Sequence, residues 1–73
     1  MNCDSIKPGV RVRIVWLDDT DGMLVAREHI ANRQKGAHGS VQTIVAGHGG
    51  DVWLVRHDSG SIGSYCYTEM ELE

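Results

Sequence analysis

The stretch "GGDVWLVRHDSG", Gly49 to Gly60, carries the pattern on which the fold turns. Trp, Arg, His and Asp crowd together in it, as they would at a site. Alternation explains them more simply. Val52, Leu54 and Arg56 take one face of an extended chain, and Trp53, Val55 and His57 take the other. Period two with β-branched and aromatic residues is the signature of a strand. Asp58-Ser59-Gly60 then supplies the tight Asp/Gly turn that hairpins favour.

The same alternation extends outward in both directions. Upstream, "GSVQTIVAG" (Gly39 to Gly47) reads as a strand, and "HGGD" (His48 to Asp51) as a glycine-rich turn. Downstream, "SIGSYCY" (Ser61 to Tyr67) predicts a strand with Ile62, Ser64 and Cys66 on one face and Gly63, Tyr65 and Tyr67 on the other. "TEM" (Thr68 to Met70) allows one helical turn capped by Thr68, and "ELE" closes as a short last strand. Near the start, "PGVRVRIVWL" (Pro8 to Leu17) turns at Pro8-Gly9 and then alternates. Val10, Val12, Ile14 and Trp16 face one way, and Arg11, Arg13, Val15 and Leu17 the other. "DDTDG" (Asp18 to Gly22) ends that strand as a turn.

Between these strands lies "MLVAREHIANRQKGAHG", Met23 to Gly39. Leu24, Arg27, Glu28 and Ala31 have helical spacing, Asp21 is placed to cap, and Gly36 and Gly39 stop a helix. The apolar face is thin, so a short helix or turn inside a long loop is expected. Five short strands separated by turn signals indicate an all-β fold, a small barrel with one long first loop.

A chain of 73 residues makes one domain, expected over residues 1–73 with residues 1–6 frayed. At this size folding buries only about 60% of the unfolded surface. Cys3 and Cys66 can form at most one bridge, and "MNCDSIKPG" has neither the basic nor the apolar region of a secretory signal. No run approaches the roughly 20 apolar residues of a membrane span. A cytoplasmic protein with reduced thiols is expected. The net charge is −3, divided into a basic first half and an acidic second half. Arg56 is the sole basic residue after Gly36. Nucleic-acid binders show a clear basic excess, which this chain lacks.

No catalytic or metal-binding set emerges. His29, His38, His48 and His57, with Cys3 and Cys66, contain no local pair of the Cys-x-x-Cys or His-x-x-x-His kind, so no metal is expected. Cys66 shares a face with Ile62 and reads as a small core residue, not a nucleophile. Asp18, Asp19 and Asp21 lack the Glu that would complete a calcium loop. "GHGG" does not open a helix and is too short to cradle a phosphate. Neither an enzyme nor a cofactor is expected.

The order of these pieces resembles an SH3-like small barrel over about Lys7 to Glu73. "GDVWLVR" (Gly50 to Arg56) followed by "GSIGSY" (Gly60 to Tyr65) is similar to the Gly-Asp-Trp-Trp and Gly-Tyr segments of signalling SH3 domains. "KPGVRVRIV", "GAHGSV" and the final "ELE" look more like the wider superfamily of KOW, Tudor and related bacterial barrels. The resemblance implies a five-stranded barrel with a long first loop and a 3-10 turn before the last strand. The departures bear on function. Val52 stands where a peptide-binding relative places its groove Trp, and Phe is absent, so the polyproline groove is not carried over. A plasmid-type dihydrofolate reductase, a pore-forming tetramer, shares only Tyr65 of its Val-Gln-Ile-Tyr motif with Ile62-Gly63-Ser64-Tyr65.

Function is thus expected to be non-catalytic. The leading expectation is an interaction module that binds a protein partner, or a second copy of itself, through the long loop with Trp53, Tyr65, Tyr67, Arg27 and Arg33. The alternative is nucleic-acid binding through Arg11, Arg13, Lys35 and Arg56. An oligomeric pore enzyme with Tyr65 in a shared cleft is the third.

Overall fold

A computed structural model describes residues 6–20, 23–47 and 50–73. The chain forms β1 (Arg11–Ile14), α1 (Arg27–Ala31), β2 (His38–Gly47), β3 (Gly50–His57), β4 (Ile62–Tyr65), a 3-10 turn (Tyr67–Glu69) and β5 (Met70–Leu72). The five strands make one antiparallel sheet in the order β4-β3-β2-β1-β5. The expected all-β class, the long first loop with its short helix, and the 3-10 turn before the last strand are all present. The hydrogen-bonded sheet is open, with β4 and β5 at its edges.

β3 is the centre of the pattern. Trp53, Val55 and His57 are buried on the face that alternation assigns them, and Arg56 is exposed on the other. Val52 is buried as well, at 3% exposure, although it shares the opposite face with Arg56. β2 runs beside the whole of β3, and the register slips between Val41 and Thr43. Gln42 is therefore an extra residue, a bulge of the kind that bends a strand. Val41 pairs with Val55 before the bulge, and Thr43 pairs with Leu54 after it. The bend falls just beyond the stretch of β2 that pairs with β1, where Arg11 meets Ser40.

The core contains Ile6, Val12, Ile14, Val41, Trp53, Val55, Tyr65 and Met70, flanked by Val10 and Ala37. It draws on every strand and on the segment before β1. Ile6, expected to fray, is 1% exposed, and its carbonyl accepts the Trp53 indole N–H at 2.8 Å. A buried indole N–H needs such an acceptor. Residues 1–5 lie outside the described part.

Two of the turns read from sequence are seen directly; those at Asp18–Gly22 and His48–Asp51 fall partly outside the described residues, and Asp51 already belongs to β3. At Asp58-Ser59-Gly60 the Gly60 amide donates to the His57 carbonyl at 2.8 Å, and Gly60 adopts φ of +104°. Such a φ is open to glycine at little steric cost. At Pro8-Gly9 the Val10 amide closes on the Lys7 carbonyl at 3.1 Å.

Several local expectations are corrected. β1 ends at Ile14, not Leu17, and Trp16 lies beyond it, 54% exposed. The amides of Val15 and Trp16 instead donate to the Glu69 carbonyl, so the chain bends along the 3-10 turn. α1 is capped by Ala26 with no side-chain bond, and Leu24 precedes the helix. The expected cap Asp21 lies outside the described residues. The 3-10 turn starts from Cys66, not Thr68. Cys66 is half-buried at this cap position and lies outside the core cluster.

The two sheet edges are protected differently. α1 and the residues after it lie along β4: Asn32 donates to the Ile62 carbonyl at 3.1 Å, and the Ser64 hydroxyl to the His29 carbonyl at 3.3 Å. β5 is three residues long and carries Glu71 at its centre. Short, charged or covered edges resist pairing with other chains. Among the described residues no helix is long and apolar enough to cross a membrane.

Candidate functional site: the first loop and the 3-10 turn

The loop between β1 and β2 is held to the sheet by two buried polar anchors. The first is Glu69, fully buried at the end of the 3-10 turn. Its carboxylate pairs with the Arg33 guanidinium and accepts the amides of Asp18 at 2.5 Å and Cys66 at 2.7 Å. One side chain thus ties both ends of the loop to the turn before β5. A buried carboxylate needs such a set of donors to remain charged. Arg33 is 6% exposed and stacks over the Tyr65 ring at 5.6 Å. Its Nε has no hydrogen-bond partner among the described residues.

The second anchor is the Tyr65 hydroxyl, which accepts the Gln34 amide at 2.8 Å and lies 2.6 Å from Nε2 of His57. Nδ1 of His57 lies 2.8 Å from the Ser61 hydroxyl. The partners determine the tautomer. An amide N–H only donates, so the Tyr65 oxygen accepts from Gln34 and sends its own proton to Nε2. Nδ1 therefore carries the imidazole proton and donates to Ser61. Burial lowers the His57 pKa by disfavouring the charged ring, and burial likewise raises that of Tyr65. Gly63 makes this pair possible: a Cβ there would stand 2.8 Å from the Tyr65 oxygen and 2.9 Å from Cε1 of His57.

The outer surface of the same region is apolar. Trp16, Leu17, Leu24 and Tyr67 are all exposed, Leu24 most at 61%. Trp16 is nevertheless held in place. Its indole N–H donates to the Asp18 carboxylate at 2.8 Å, and the Lys35 ammonium stands over its ring at 5.2 Å. Tyr67 meets the edge of buried Trp53 at 6.1 Å between ring centres. Asp18 and Asp19 are exposed next to this set. Cys66 lies near both, and its thiol pKa is raised first by burial and then by Glu69.

The residues expected to bind a partner divide sharply. Trp53 and Tyr65 are buried, at 4% and 0%, and Arg33 is committed to Glu69. These three lie in the interior and form no contact surface. Tyr67 and Arg27 are exposed. Trp16 and Leu24, which alternation and helical spacing did not single out as contacts, are exposed as well. A signal for Trp16 was present in the acidic run that ends the strand, which stops the alternation before its last apolar residues are covered.

The candidate nucleic-acid set is largely neutralised. Arg11 makes a bidentate contact with Asp58 at 2.6 and 3.0 Å and a further bond with Glu73 at 2.9 Å. His38 also contacts Glu73, and Arg13 pairs with Glu71. Lys35 covers Trp16, which leaves exposed Arg56 with no ion-pair partner among the described residues. Among the described residues no three His, Cys, Asp or Glu side chains are grouped to hold a metal. The Tyr65 that a pore enzyme would present to a cleft is enclosed within the sheet's own core.

Compared with protein families, with curated proteins and with solved structures, the chain has no significant match in any of the three.

Proposed function

We propose that this is a non-catalytic interaction module with an SH3-like architecture, binding a protein partner through the first loop and the 3-10 turn. The observation that carries the reading is Trp16, more than half exposed and yet fixed by Asp18 and Lys35. An aromatic already held in place loses little freedom on binding, and Trp is a common anchor of interfaces. Leu17, Leu24 and Tyr67 add apolar area on the same loop and turn. Asp18, exposed and bonded to the indole N–H, fits a partner segment that sets a cation next to an apolar side chain. The strand order and the 3-10 turn before β5 support the SH3-like reading.

The test is selection from a peptide display library of unbiased sequence, scored against the native protein and the Trp16→Ala and Tyr67→Ala variants. The reading expects ligands that combine basic and apolar residues, with affinity reduced at least tenfold by Trp16→Ala. Ligands indifferent to both substitutions would place the interface elsewhere. Light scattering at high protein concentration separates self-association from binding of a different partner. Salt-sensitive binding of DNA or RNA, lost on Arg56→Ala, would favour the nucleic-acid alternative.

A further inference from the structure

The His57–Tyr65 anchor has a chemistry that the partner reading does not use. Its geometry works only with a neutral imidazole. Nε2 accepts the Tyr65 proton, because the Tyr65 hydroxyl has no other acceptor among the described residues while its oxygen receives the Gln34 amide. A proton on Nε2 turns it into a donor. The Tyr65 oxygen then receives from the imidazolium, and its own proton needs an acceptor where the Gln34 N–H now points.

No charged group in direct contact offsets that proton. From β4 the ring faces Tyr65, and from the turn it faces Ser61, neither of them anionic at neutral pH. From the segment after α1, Arg33 stands over the Tyr65 ring, its charge matched by Glu69 of the 3-10 turn. Asp58, the next residue along the chain, is turned to Arg11, and His38 of β2 to Glu73. Among the described residues no carboxylate is hydrogen-bonded to the His57 ring.

We propose that His57 and Tyr65 form a proton-sensitive latch on the first loop: protonation of His57 breaks the Tyr65–Gln34 contact and loosens the chain around Gln34 and Lys35, while the Glu69–Arg33 anchor and the sheet stay in place. Lys35 follows Gln34 and covers Trp16, so the same release uncovers the indole. The latch stands on the hydrogen-bond geometry and holds whether or not the partner reading does.

Hydrogen exchange on the intact protein, followed residue by residue from pH 7.5 to 4.5 and corrected for intrinsic exchange, tests it. The opening constant reported by the Gln34 amide should rise by up to about tenfold per pH unit below the ordinary imidazole value of about 6.5. The rise levels off once the closed state itself takes the proton. The amides of Val41 and Val55 should stay far better protected than Gln34 at every pH, losing only what the fall in global stability takes from them. The Tyr65→Phe variant should show weak Gln34 protection that no longer depends on the His57 proton. Constant Gln34 protection through the range overturns the latch. So do opening constants at Gln34, Val41 and Val55 that coincide through the range, which is global unfolding. The wild-type titration is decisive by itself if Tyr65→Phe fails to fold.

Discussion

The carboxylate of Glu69, fully buried, meets the guanidinium of Arg33, placed 36 residues earlier in the chain. The same carboxylate accepts the amides of Asp18 and Cys66. A single residue after β4 therefore organises the loop that follows β1.

The two partners of this pair are not equivalent. Arg33→Met leaves Glu69 with two amide donors, whereas Glu69→Leu strands a buried guanidinium and both amides. Removing one partner of a buried pair typically costs about 3–5 kcal/mol. A domain of this size holds only about that much in reserve. Urea denaturation should therefore find Glu69→Leu largely unfolded and Arg33→Met destabilised but folded. Equal losses would mean that the amide contacts contribute nothing.

Gly63→Ala forces a methyl group against both the Tyr65 oxygen and the His57 ring. Overpacking of this kind costs about 1–3 kcal/mol. The variant should unfold at lower urea concentration and lose protection at the Gln34 amide first. Unchanged stability would show that the His57–Tyr65 contact can yield without penalty.

Acid should destabilise the fold through two sets of groups with the same sign. His57 has its folded pKa lowered by burial, so the unfolded chain takes up the proton first. Stability from this group is complete above the ordinary imidazole value of about 6.5 and falls as pH drops toward the folded value. Asp58 and Glu73 are held below the usual carboxylate range, Asp58 chiefly by its bond to Arg11 and Glu73 chiefly by His38. Their contribution is present above the ordinary carboxylate pKa and is lost at still lower pH. Urea midpoints measured from pH 7.5 to 3 should fall in two stages, and His57→Gln should flatten the first.

Trp16 and Trp53 should separate in fluorescence. Trp16 is 54% exposed and Trp53 is 4% exposed. Iodide should quench only part of the emission, and Trp16→Phe should remove the quenchable part. Lys35→Ala should increase quenching of Trp16 by the neutral quencher acrylamide, by uncovering its ring.

The Arg11 network is exposed, and its effect on stability should be small. Arg11→Ala should lower the urea midpoint slightly at low salt, with the difference fading as salt screens the charges. A large loss that persisted in high salt would contradict a surface role for this network.

Much of the fold was legible because its signals are local. The alternation of β3 gave its faces correctly, since successive side chains of a strand must point to opposite sides. The Asp58–Gly60 and Pro8-Gly9 turns followed from residues that favour those conformations. The candidate site was less legible. Alternation told which residues share a face but not which face is covered, so Trp53 and Tyr65 read as surface while Trp16, beyond the end of β1, was passed over.

The sequence by itself determined an all-β chain, the placing of its strands and the turns at Pro8-Gly9 and Asp58–Gly60, because each depends on neighbours a few residues apart. Only the tertiary structure decided that Val52 is covered, that Trp16 is displayed, and that Arg33 and Tyr65 hold the first loop. Those outcomes depend on residues brought together across the sheet. Which charge is buried with which partner, and which aromatic is left in water, is settled by packing between distant segments, and local periodicity carries no record of it.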